Sequence, residues 1–408
     1  MRTAGRHTRR AAAVACPPPM IFLDVNTFFA ERAGGIRTYH RAKIAWFAAQ
    51  AQHTYYLVHP GPRHAVTQAA PNVFLVQVYG APTGRAEGGY RWMLDYPRIL
   101  RLVEQVRPDV VEVGDPWLSG AFARWMRRSG RFTGLLSAFY HSDAVRTWVE
   151  PWARRPGALA PLRRGAAARV GDWFYRRQDA YDVTVVTSRA MERHLRGRGV
   201  RSVARLPFGT DPAFFAAGAD AIRGRSGDGT VRLLYAGRLG REKGAELLLA
   251  ALPRLLDDPR VHVTVMGRGA NETGFAAIRH PRFDFRGFVG DRAEVARTFA
   301  AHDVLLAPGP HETFGLSVLE GMAAGMAVVG PDAGGTGELL EEVDSPFVFA
   351  AGDADGFRDA VMRAVGSDPA AGAAKARALA RRYGTWDDAI ARMVAFYEDR
   401  VARTDAAA

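Results

Sequence analysis

From Ile21 onward, short runs of β-branched and aromatic residues alternate with longer stretches in which apolar residues recur every three or four positions. The short runs are typical of strands, and the longer stretches are typical of amphipathic helices. Strands that alternate with helices indicate parallel sheets with crossover helices. In the first half the predicted strands are Ile21–Val25, Thr54–Val58, Val73–Val78, Val110–Val113, Leu135–Tyr140, Val183–Val186 and Ser202–Leu206, with helices such as Gly35–Ala49, Tyr96–Val106 and Ser188–Gly197 between them.

This alternation is interrupted after Leu206. Residues 207–212 and 223–230 are rich in glycine, proline and small polar side chains, which break regular structure. We therefore predict a linker here, followed by a second domain of the same architecture but without a sequence repeat. Its predicted strands are Val231–Ala236, Val261–Met266, Phe283–Phe285, Val304–Ala307 and Val328–Gly330, and its predicted helices are Ala245–Leu256, Glu294–Ala300 and Ser317–Ala324.

Composition supports this division and excludes several other classes of protein. A chain of 408 residues, 48% of them hydrophobic, has enough apolar surface for two cores. Cys16 is the single cysteine, which excludes an intramolecular disulfide and a zinc site built on cysteine pairs. Charge or glycine interrupts every apolar run well before the ~20 residues that cross a bilayer.

The segment Met1–Pro19 precedes the first predicted strand. Its apolar run Ala11–Cys16 follows several arginines but is shorter than the ~7–15 residues of a secretory signal core. We expect residues 1–19 to be a disordered extension or the result of an upstream start codon, with Met20 as the true initiator. A cleaved signal is the less favoured alternative.

Charge is distributed unevenly along the chain. Residues 1–205 contain 32 Lys and Arg against 14 Asp and Glu, a net charge of +18, whereas the remainder has a net charge of −5. An asymmetry of this kind indicates that the first domain contacts something anionic: a membrane surface, an anionic acceptor or nucleic acid.

The most informative motif is His311–Gly325, which follows the apolar run 303–308. A strand, a glycine turn and a helix N-terminus in that order present backbone N–H groups and a positive dipole end to an anion. The motif therefore predicts a diphosphate at Gly315–Ser317. Glu312 and Glu320 bracket the turn, where their carboxylates can accept hydrogen bonds from sugar and ribose hydroxyls respectively.

A second glycine-rich loop, Tyr235–Gly244, ends another predicted strand. Its cations, Arg238 and Lys243, would neutralise a leaving diphosphate. Two weaker signals are the glycine turn at Gly267 and the segment around Phe288, whose backbone could contact a nucleobase. For these two, an ordinary turn between a strand and a helix is the alternative interpretation.

These motifs, together with Gly334–Glu338, resemble the family-4 retaining glycosyltransferases of GT-B fold, and the resemblance extends from Met20 to about Arg403. It implies that Glu312 contacts the donor sugar and Glu320 the ribose, and that Arg238 and Lys243 hold the diphosphate. The donor-binding residues implied in the second domain are Gly267, Phe288, Phe314, Gly315, Leu316, Ser317 and Glu320.

The first half carries two further matches to the family. The segment Gly34–Tyr39 resembles its glycine-pair loop, in which Gly34 and Gly35 open a helix beneath the donor phosphates. The segment Tyr140–Asp143 resembles its histidine motif, which places His141 against the donor sugar. Asp115 and Ser119 have two open interpretations: they shape the acceptor cleft, or they cap the end of a strand.

The resemblance also implies an architecture: two Rossmann-like α/β domains face each other across a cleft, and a C-terminal helix crosses back to the first domain. The corresponding boundaries are 20–206 for the acceptor-side domain, 207–385 for the nucleotide-sugar domain and 386–408 for the crossover helix and tail.

The reaction implied is a retaining hexosyl transfer from a UDP- or GDP-sugar to a lipid or saccharide acceptor in envelope glycolipid or polysaccharide synthesis. We expect no cofactor, no metal ion and no nucleic acid partner. Two alternative functions stay open at this point, namely a sugar-nucleotide epimerase on the same scaffold and a non-catalytic sugar-nucleotide or anion-binding protein.

One further stretch, Trp148–Arg177, combines tryptophans with clustered arginines. This composition suits an interfacial helix on an anionic membrane, and a solvated face beside the cleft is the alternative. We expect a cytoplasmic enzyme, with peripheral binding to the inner face of the membrane as a hypothesis.

Overall fold

The computed structural model describes residues 18–30, 34–83, 90–154, 156–217, 229–368 and 371–407. The predicted extension before residue 18 and most of the predicted linker segment 223–230 lie outside these residues. The described part of the chain forms two α/β domains, each built on its own sheet.

The first sheet contains nine strands within the described residues, in the order β3-β4-β2-β1-β6-β7-β8-β9, with β5 paired to β4. All neighbouring strands are parallel except β3 and β5, which run antiparallel to β4. The strands are Ile21–Val25 (β1), Thr54–Gly61 (β2), Ala65–Ala70 (β3), Val73–Pro82 (β4), Arg91–Met93 (β5), Val110–Val113 (β6), Leu135–Phe139 (β7), Val183–Val186 (β8) and Val203–Arg205 (β9).

Helices connect these strands and cover the sheet. The central strands are buried along their length, as crossover connections on both faces require. The helices are Gly35–Ala49 (α1), Tyr96–Val106 (α2), Leu118–Arg128 (α3), Glu150–Ala153 (α4), Ala160–Arg176 (α5) and Arg189–Gly197 (α6), with a π-helical turn at Val145–Val149 and a 3₁₀ turn at Arg177–Ala180.

The second sheet is parallel throughout, in the order β12-β11-β10-β13-β14-β15. This order is that of a doubly wound sheet. From β10 the chain adds strands toward one edge (β11, β12), and from β13 it adds them toward the other edge (β14, β15), so the strand order reverses between β10 and β13. Its strands are Val231–Ala236 (β10), Val261–Met266 (β11), Phe283–Gly287 (β12), Val304–Leu306 (β13), Ala327–Pro331 (β14) and Val348–Phe349 (β15).

Helices also flank the second sheet. Helix Ala245–Leu256 packs one face against strands β10 and β11 in a continuous apolar core, through Leu248, Leu252 and Leu255. The helices are Pro212–Ala216 (α7), Ala245–Leu256 (α8), Glu272–Ala276 (α9), Arg292–Ala300 (α10), Leu316–Ala323 (α11), Gly334–Glu342 (α12), Ala354–Gly366 (α13), Ala373–Tyr383 (α14) and Trp386–Ala407 (α15), with a 3₁₀ turn at Arg241–Lys243.

Helix α15 returns to the first domain. Its side chains Trp386, Ile390, Met393 and Tyr397 are buried in the same apolar cluster as Phe22 and neighbouring residues of the first sheet. Burial of each such side chain contributes about 1.5–3 kcal/mol, so the helix ties the two domains together. The predicted fold class is therefore confirmed, including the crossover helix.

The predicted strands and helices are all present, with ends displaced by a few residues. The prediction missed β3, β5 and helices such as α3, α13 and α14. It was also wrong to treat Trp148–Arg177 as a single helix, because a π-helical turn and helix α4 precede α5. Within the described residues, no helix combines the length and apolar composition needed to cross a bilayer.

Candidate active site

The reversal point of the second sheet brings two loops together, one after β10 and one after β13. Open parallel sheets bind ligands at this position because the carboxyl ends of the strands diverge there. The first loop carries Arg238 and Lys243 and the second carries Glu312. The topology thus places these three predicted side chains at one crevice.

The cations of the first loop are already paired with carboxylates. The guanidinium of Arg238 lies 2.9 Å from Glu242, and the ammonium of Lys243 forms an ion pair with Glu312. The hydroxyl of Tyr235 donates hydrogen bonds to the carbonyl oxygens of Arg238, at 2.7 Å, and Lys243, at 3.3 Å, which fixes the loop between them. Both cations are partly exposed, so an incoming anion can replace their carboxylate partners.

The second loop ends at Gly315, the residue before α11. Its φ of +91° lies in the left-handed region, which favours glycine. Among the described residues, no side chain caps the N-terminus of α11. The first N–H groups of α11 are therefore available to an anion, with the positive end of the helix dipole behind them. Leu316 and Ser317, at this helix start, are half-buried.

Phe314 occupies a different environment from its neighbours. Its ring is 3% exposed and packs edge-on against Phe208 and Tyr383, at centroid distances of 5.4 and 5.7 Å. The side chain is therefore part of the core, and only the backbone of Phe314 is free to serve a ligand. Its ring fixes the turn instead.

Glu320 lies one turn into α11 and is half-buried. Burial raises the pKa of its carboxyl to about 7, an effect that Arg292 opposes and Asp211 reinforces. Near neutral pH this group therefore exists in both protonation states, which matters for any ligand that needs the carboxylate as a hydrogen-bond acceptor.

The two weaker predicted residues differ in environment. Gly267 has φ +148°, and a Cβ there would collide with the carbonyl oxygen of Gly237 in the first loop. Glycine is therefore required for the close approach of these two loops, whether or not a ligand binds. Phe288 follows β12 and is 38% exposed, so its ring is accessible to a flat ligand.

The first domain supplies the opposite wall, at the reversal of its own sheet between β1 and β6. Gly34 is the N-cap of α1, and a Cβ on it would have no described atom within 4 Å. A Cβ on Gly35 would lie 3.9 Å from the side chain of Leu316. The N-termini of α1 and α11 thus face each other across the cleft.

His141 follows β7 at the same edge. Its ring stacks on Phe139, with centroids 4.3 Å apart, and lies 5.2 Å from the ring of Tyr39. Burial, with His40 and Lys43 nearby, holds the pKa of His141 well below its usual value. The imidazole is neutral, and its buried Nε2 has no hydrogen-bond partner within the described residues.

Thr313 joins the two walls of the cleft. Its hydroxyl donates to the carbonyl oxygen of His141 at 2.9 Å, and its own carbonyl oxygen accepts a hydrogen bond from the hydroxyl of Ser188 at 2.6 Å. Because Glu312 is the preceding residue, contact between the domains sets the position of its loop. Sequence reasoning missed this role, although Thr313 lies inside the strongest motif.

A second contact between the domains centres on Glu338 of α12, which is 5% exposed. Its carboxylate accepts a hydrogen bond from the backbone N–H of Ala190 at 2.9 Å, at the N-terminus of α6. The guanidinium groups of Arg189 and Arg205 lie 3.3 and 3.9 Å away. Sequence reasoning named Glu338 only as part of a motif, because its partners are more than 130 residues away.

A buried polar network lies behind His141. The ammonium of Lys43, in α1, lies 2.6 Å from Asp24 and 3.2 Å from Glu112. The hydroxyl groups of Tyr39 and Tyr397 each donate to Glu112 at 2.8 Å. Burial raises the pKa of both carboxyl groups. No local pattern predicted this network, since its members lie on four separate elements.

A pocket opens beside His141, at the carboxyl ends of β6 and β7. Asp115 contributes to its lining, but its carboxylate is occupied: it accepts hydrogen bonds from the Thr27 hydroxyl at 2.6 Å and the Trp117 backbone at 3.0 Å. Asp115 therefore caps the end of the strand, and the structure favours this interpretation for its side chain. The pocket is lined by Val113, Gly114, Asp115, Pro116, Ala138, Phe139, Tyr140, His141, Ser142, Gln178 and Tyr181.

Comparison with known families gives two matches that together span most of the chain. Residues 34–209 match the glycosyl transferase 4-like domain, and residues 230–367 match glycosyl transferases group 1.

Individual proteins extend these matches. A GDP-mannose-dependent alpha-(1-6)-phosphatidylinositol dimannoside mannosyltransferase of Mycobacterium tuberculosis is 31% identical over 92% of this chain and 95% of its own. The structure of sucrose-phosphate synthase from Thermosynechococcus elongatus superposes with a TM-score of 0.74 at 21% identity, over 94% of this chain and 100% of that one. An alpha,alpha-trehalose 6-phosphate synthase from Burkholderia multivorans superposes with a TM-score of 0.67 at 16% identity, over 96% and 98% of the two chains.

Proposed function

This chain belongs to the glycosyl transferases of group 1, and from that premise we propose that it transfers mannose from GDP-mannose to a lipid acceptor, with retention of anomeric configuration. One observation carries the choice of substrates: the mycobacterial relative, a GDP-mannose-dependent mannosyltransferase that acts on a phosphatidylinositol dimannoside, matches over nearly the full length of both chains. Within the UDP- or GDP-hexose range predicted from the sequence, this favours GDP-mannose.

Family membership favours a transferase over the other two interpretations of the sequence. The site agrees with this preference, because both domains contribute predicted site residues to the walls of the crevice. An epimerase would need an acid and a base in the first domain that face the sugar. The buried acids there are instead occupied: Asp24 and Glu112 by Lys43 and tyrosine hydroxyls. Asp115 is occupied by the Thr27 hydroxyl and the Trp117 backbone, and Asp143 by the Tyr175 hydroxyl and the backbone N–H groups of Val145 and Arg146.

In the proposed complex the diphosphate lies between the two loops of the second domain. Lys243 and Arg238 exchange their carboxylate partners for phosphate oxygens, and the N-terminus of α11 binds the remaining charge. Preorganised cations and N–H groups aimed at a leaving group are the arrangement that stabilises developing negative charge. Gly34 and Gly35 close the site from the first domain.

The sugar then lies between Glu312 and His141. Once Lys243 has moved to the diphosphate, the carboxylate of Glu312 is free to accept hydrogen bonds from sugar hydroxyls. The unpartnered Nε2 of His141 is available for one more hydroxyl. Glu320 binds the ribose diol, and the backbone at Gly267 and the exposed ring of Phe288 lie toward the base.

The chemical step that we propose is a front-face displacement. The bond between the anomeric carbon and the phosphate oxygen breaks, and the acceptor hydroxyl oxygen forms its bond to the same face of that carbon. The proton of the acceptor passes to the leaving phosphate oxygen, so GDP departs protonated there and no enzyme nucleophile is consumed. We propose that the step needs neither a metal ion nor an organic cofactor, and expect EDTA to leave the rate unchanged.

The acceptor enters from the first domain. The pocket at the ends of β6 and β7 lies beside His141, where the attacking hydroxyl must arrive. A lipid acceptor resides in a bilayer, so the proposal includes peripheral binding at the cytoplasmic face of the membrane.

The direct test is nucleoside diphosphate release from GDP-mannose, UDP-glucose and ADP-glucose, with and without a phosphatidylinositol mannoside acceptor. We expect release from GDP-mannose to be fastest, and Glu312→Ala and Lys243→Ala each to lower it about 10²–10³-fold. Arg241→Ala is the matched control, because Arg241 is an exposed cation in the same 3₁₀ turn. Proton NMR of the product should show the α-anomer.

Two results would contradict the proposal. Conversion of the donor into an isomeric sugar nucleotide, without nucleoside diphosphate, would indicate an epimerase. Tight donor binding with no release in the presence of any acceptor would indicate a binding protein.

A further inference from the structure

The first domain exposes several large apolar side chains on helices α3 and α5 and just before α3. Trp125 is 48% exposed, Trp173 is 50% exposed and Leu162 is 72% exposed. Trp117, immediately before α3, is 37% exposed. Single exposed apolar residues are ordinary on protein surfaces, but a contiguous group of this size marks an interaction site.

Ring contacts join Trp117 to helix α5. The ring of Trp117 lies edge-on against Phe174 with centroids 4.8 Å apart, and Phe174 in turn lies 5.5 Å from Trp173. The guanidinium of Arg177 lies 3.7 Å from the centroid of the Trp173 ring. Trp117, at the start of α3, and Trp173 of α5 therefore belong to one surface, which together with the exposed side chains of both helices we call the α3–α5 surface.

Helical spacing aligns the members of this surface along each helix. Trp125 and Arg128 are three residues apart in α3, and Trp117 lies two turns before Trp125. In α5, Leu162, Arg169 and Trp173 are separated by seven and four residues. Residues at such intervals lie on one helical face, so each helix presents apolar and cationic side chains together.

The charge of the two helices is strongly positive. Helices α3 and α5 contain seven arginines, and Asp172 is their one acidic residue. Among these arginines, Arg128, Arg164, Arg169 and Arg176 are exposed. An apolar surface surrounded by cations is complementary to a layer of anionic groups above an apolar interior.

The α3–α5 surface adjoins the acceptor pocket. Asp115 and Pro116 line the pocket and directly precede Trp117, while Gln178 and Tyr181 line it just after α5. Both helices therefore extend from the rim of the opening beside His141. A lipid that leaves a bilayer at this surface would meet the pocket without crossing water.

We propose that the α3–α5 surface docks the enzyme onto an anionic lipid bilayer and presents the acceptor pocket to it. This inference rests on the proposed lipid acceptor. Tryptophan rings lie at the boundary between lipid headgroups and acyl chains, arginine stems lie along apolar surface with their charges outward, and each surface cation adds to the attraction toward anionic headgroups. The surface differs from the segment Trp148–Arg177 expected from sequence, because it also includes Trp117 and exposed residues of α3.

Flotation of the full-length protein with vesicles tests the proposal. We expect binding to phosphatidylcholine vesicles containing phosphatidylglycerol, little binding to phosphatidylcholine alone, and weaker binding at high salt. The double variant Trp125→Ala/Trp173→Ala should bind at least tenfold more weakly, as should Arg128→Glu/Arg169→Glu. Trp92→Ala is the matched control, because Trp92 is also 48% exposed but lies on β5, at the other end of the sheet.

Donor turnover separates this proposal from the proposed function. Nucleoside diphosphate release to a detergent-dispersed acceptor should be unchanged in the double tryptophan variant, while release to vesicle-embedded acceptor falls in parallel with flotation. Equal flotation with neutral and anionic vesicles, or full flotation by both double variants, would overturn the docking surface and leave the transferase intact. Self-association of the wild type that is lost in the tryptophan variant, without vesicle binding, would assign the surface to a second copy of the chain.

Discussion

The two walls of the cleft hold their charged residues in opposite ways. In the second domain, Lys243 and Arg238 lie in glycine-rich loops, partly exposed and paired with carboxylates that a ligand can replace. In the first domain, Lys43 is fully buried between Asp24 and Glu112. Similar ion pairs thus differ in accessibility, because solvent reaches one set and not the other.

This contrast separates function from stability. An exposed pair contributes little to folding, typically below about 1 kcal/mol, but is available for exchange with a substrate. A buried pair cannot lose a partner without leaving an uncompensated charge in the core. We therefore expect substitutions in the two walls to affect different measurements.

The largest effect should follow Lys43→Met. This substitution leaves two buried carboxylates without their cation and should lower the free energy of unfolding by about 3–5 kcal/mol, measured by chemical denaturation at pH 7. Arg41→Met, an exposed position of the same helix, is the control. A loss below about 1 kcal/mol would mean that the network is not a stabilising element. Adding Asp24→Asn and Glu112→Gln to Lys43→Met should recover part of the loss.

Lys243→Ala should affect turnover and leave stability nearly unchanged, the reverse of Lys43→Met. Removal of a preorganised cation from the leaving diphosphate should lower kcat about 10²–10³-fold, while the denaturation midpoint stays close to that of the wild type. Single-turnover measurements with saturating GDP-mannose would separate the chemical step from binding. The contrast between the walls would fail if this variant unfolded as readily as Lys43→Met.

The contact between the walls should have an intermediate effect. Glu338→Gln removes the charge that pairs with Arg189 and Arg205, and it weakens the hydrogen bond accepted from the N-terminus of α6. We therefore expect kcat to fall about tenfold, with GDP affinity nearly unchanged. Glu341→Gln, an exposed position of the same helix, should have no effect. A fall in GDP affinity equal to the fall in kcat would place Glu338 in the donor site itself instead.

The smallest expected effect concerns pH. With a pKa of about 7, Glu320 is mostly protonated at pH 6 and mostly ionised at pH 8. If the carboxylate binds the ribose diol, GDP-mannose affinity should rise up to about tenfold over this interval. Calorimetric titration across the range would measure it, and Glu320→Gln should remove the dependence.

The Glu320 carboxyl gives folding stability the opposite pH dependence from donor affinity. Because its pKa is raised in the folded state, the folded protein holds a proton between about pH 4.5 and 7 that the unfolded chain has released. The contribution of Glu320 to stability is therefore present below this window and lost as pH rises through it. A stability profile in which Glu320→Gln removes an increase with pH would contradict this sign.

Local pattern predicted much of this molecule. The predicted ends agree with the structure for strands Ile21–Val25 and Val110–Val113 and for helix Gly35–Ala49. A buried parallel strand produces a short continuous apolar run, and an amphipathic helix produces apolar residues every three or four positions, so both are visible in the sequence. The antiparallel strand Ala65–Ala70 was missed, since it is mostly exposed and has no apolar run. Its position depends on the neighbour β4, which no local pattern encodes.

The candidate site divides in the same way. The second-domain wall is continuous in sequence: Glu312, Gly315 and Glu320 lie within one motif, so their spacing alone predicts a loop and a helix start. Phe314 shows the limit of that reasoning, because the motif includes it but its ring lies in the core. A spacing identifies neighbours along the chain and does not determine which of them face solvent.

The sequence by itself therefore determined the alternation of strands and helices, the two-domain division and the glycine-rich loops after β10 and β13, because each depends on residues within about ten positions of one another. Tertiary structure alone decided the pairing of Lys43 with Asp24 and Glu112, the contact between Thr313 and His141, and the contact of Trp117, just before α3, with Phe174 of α5. These depend on which faces the folded sheets bring together. Burial, which raises the pKa of Glu320, exists only once the chain has folded.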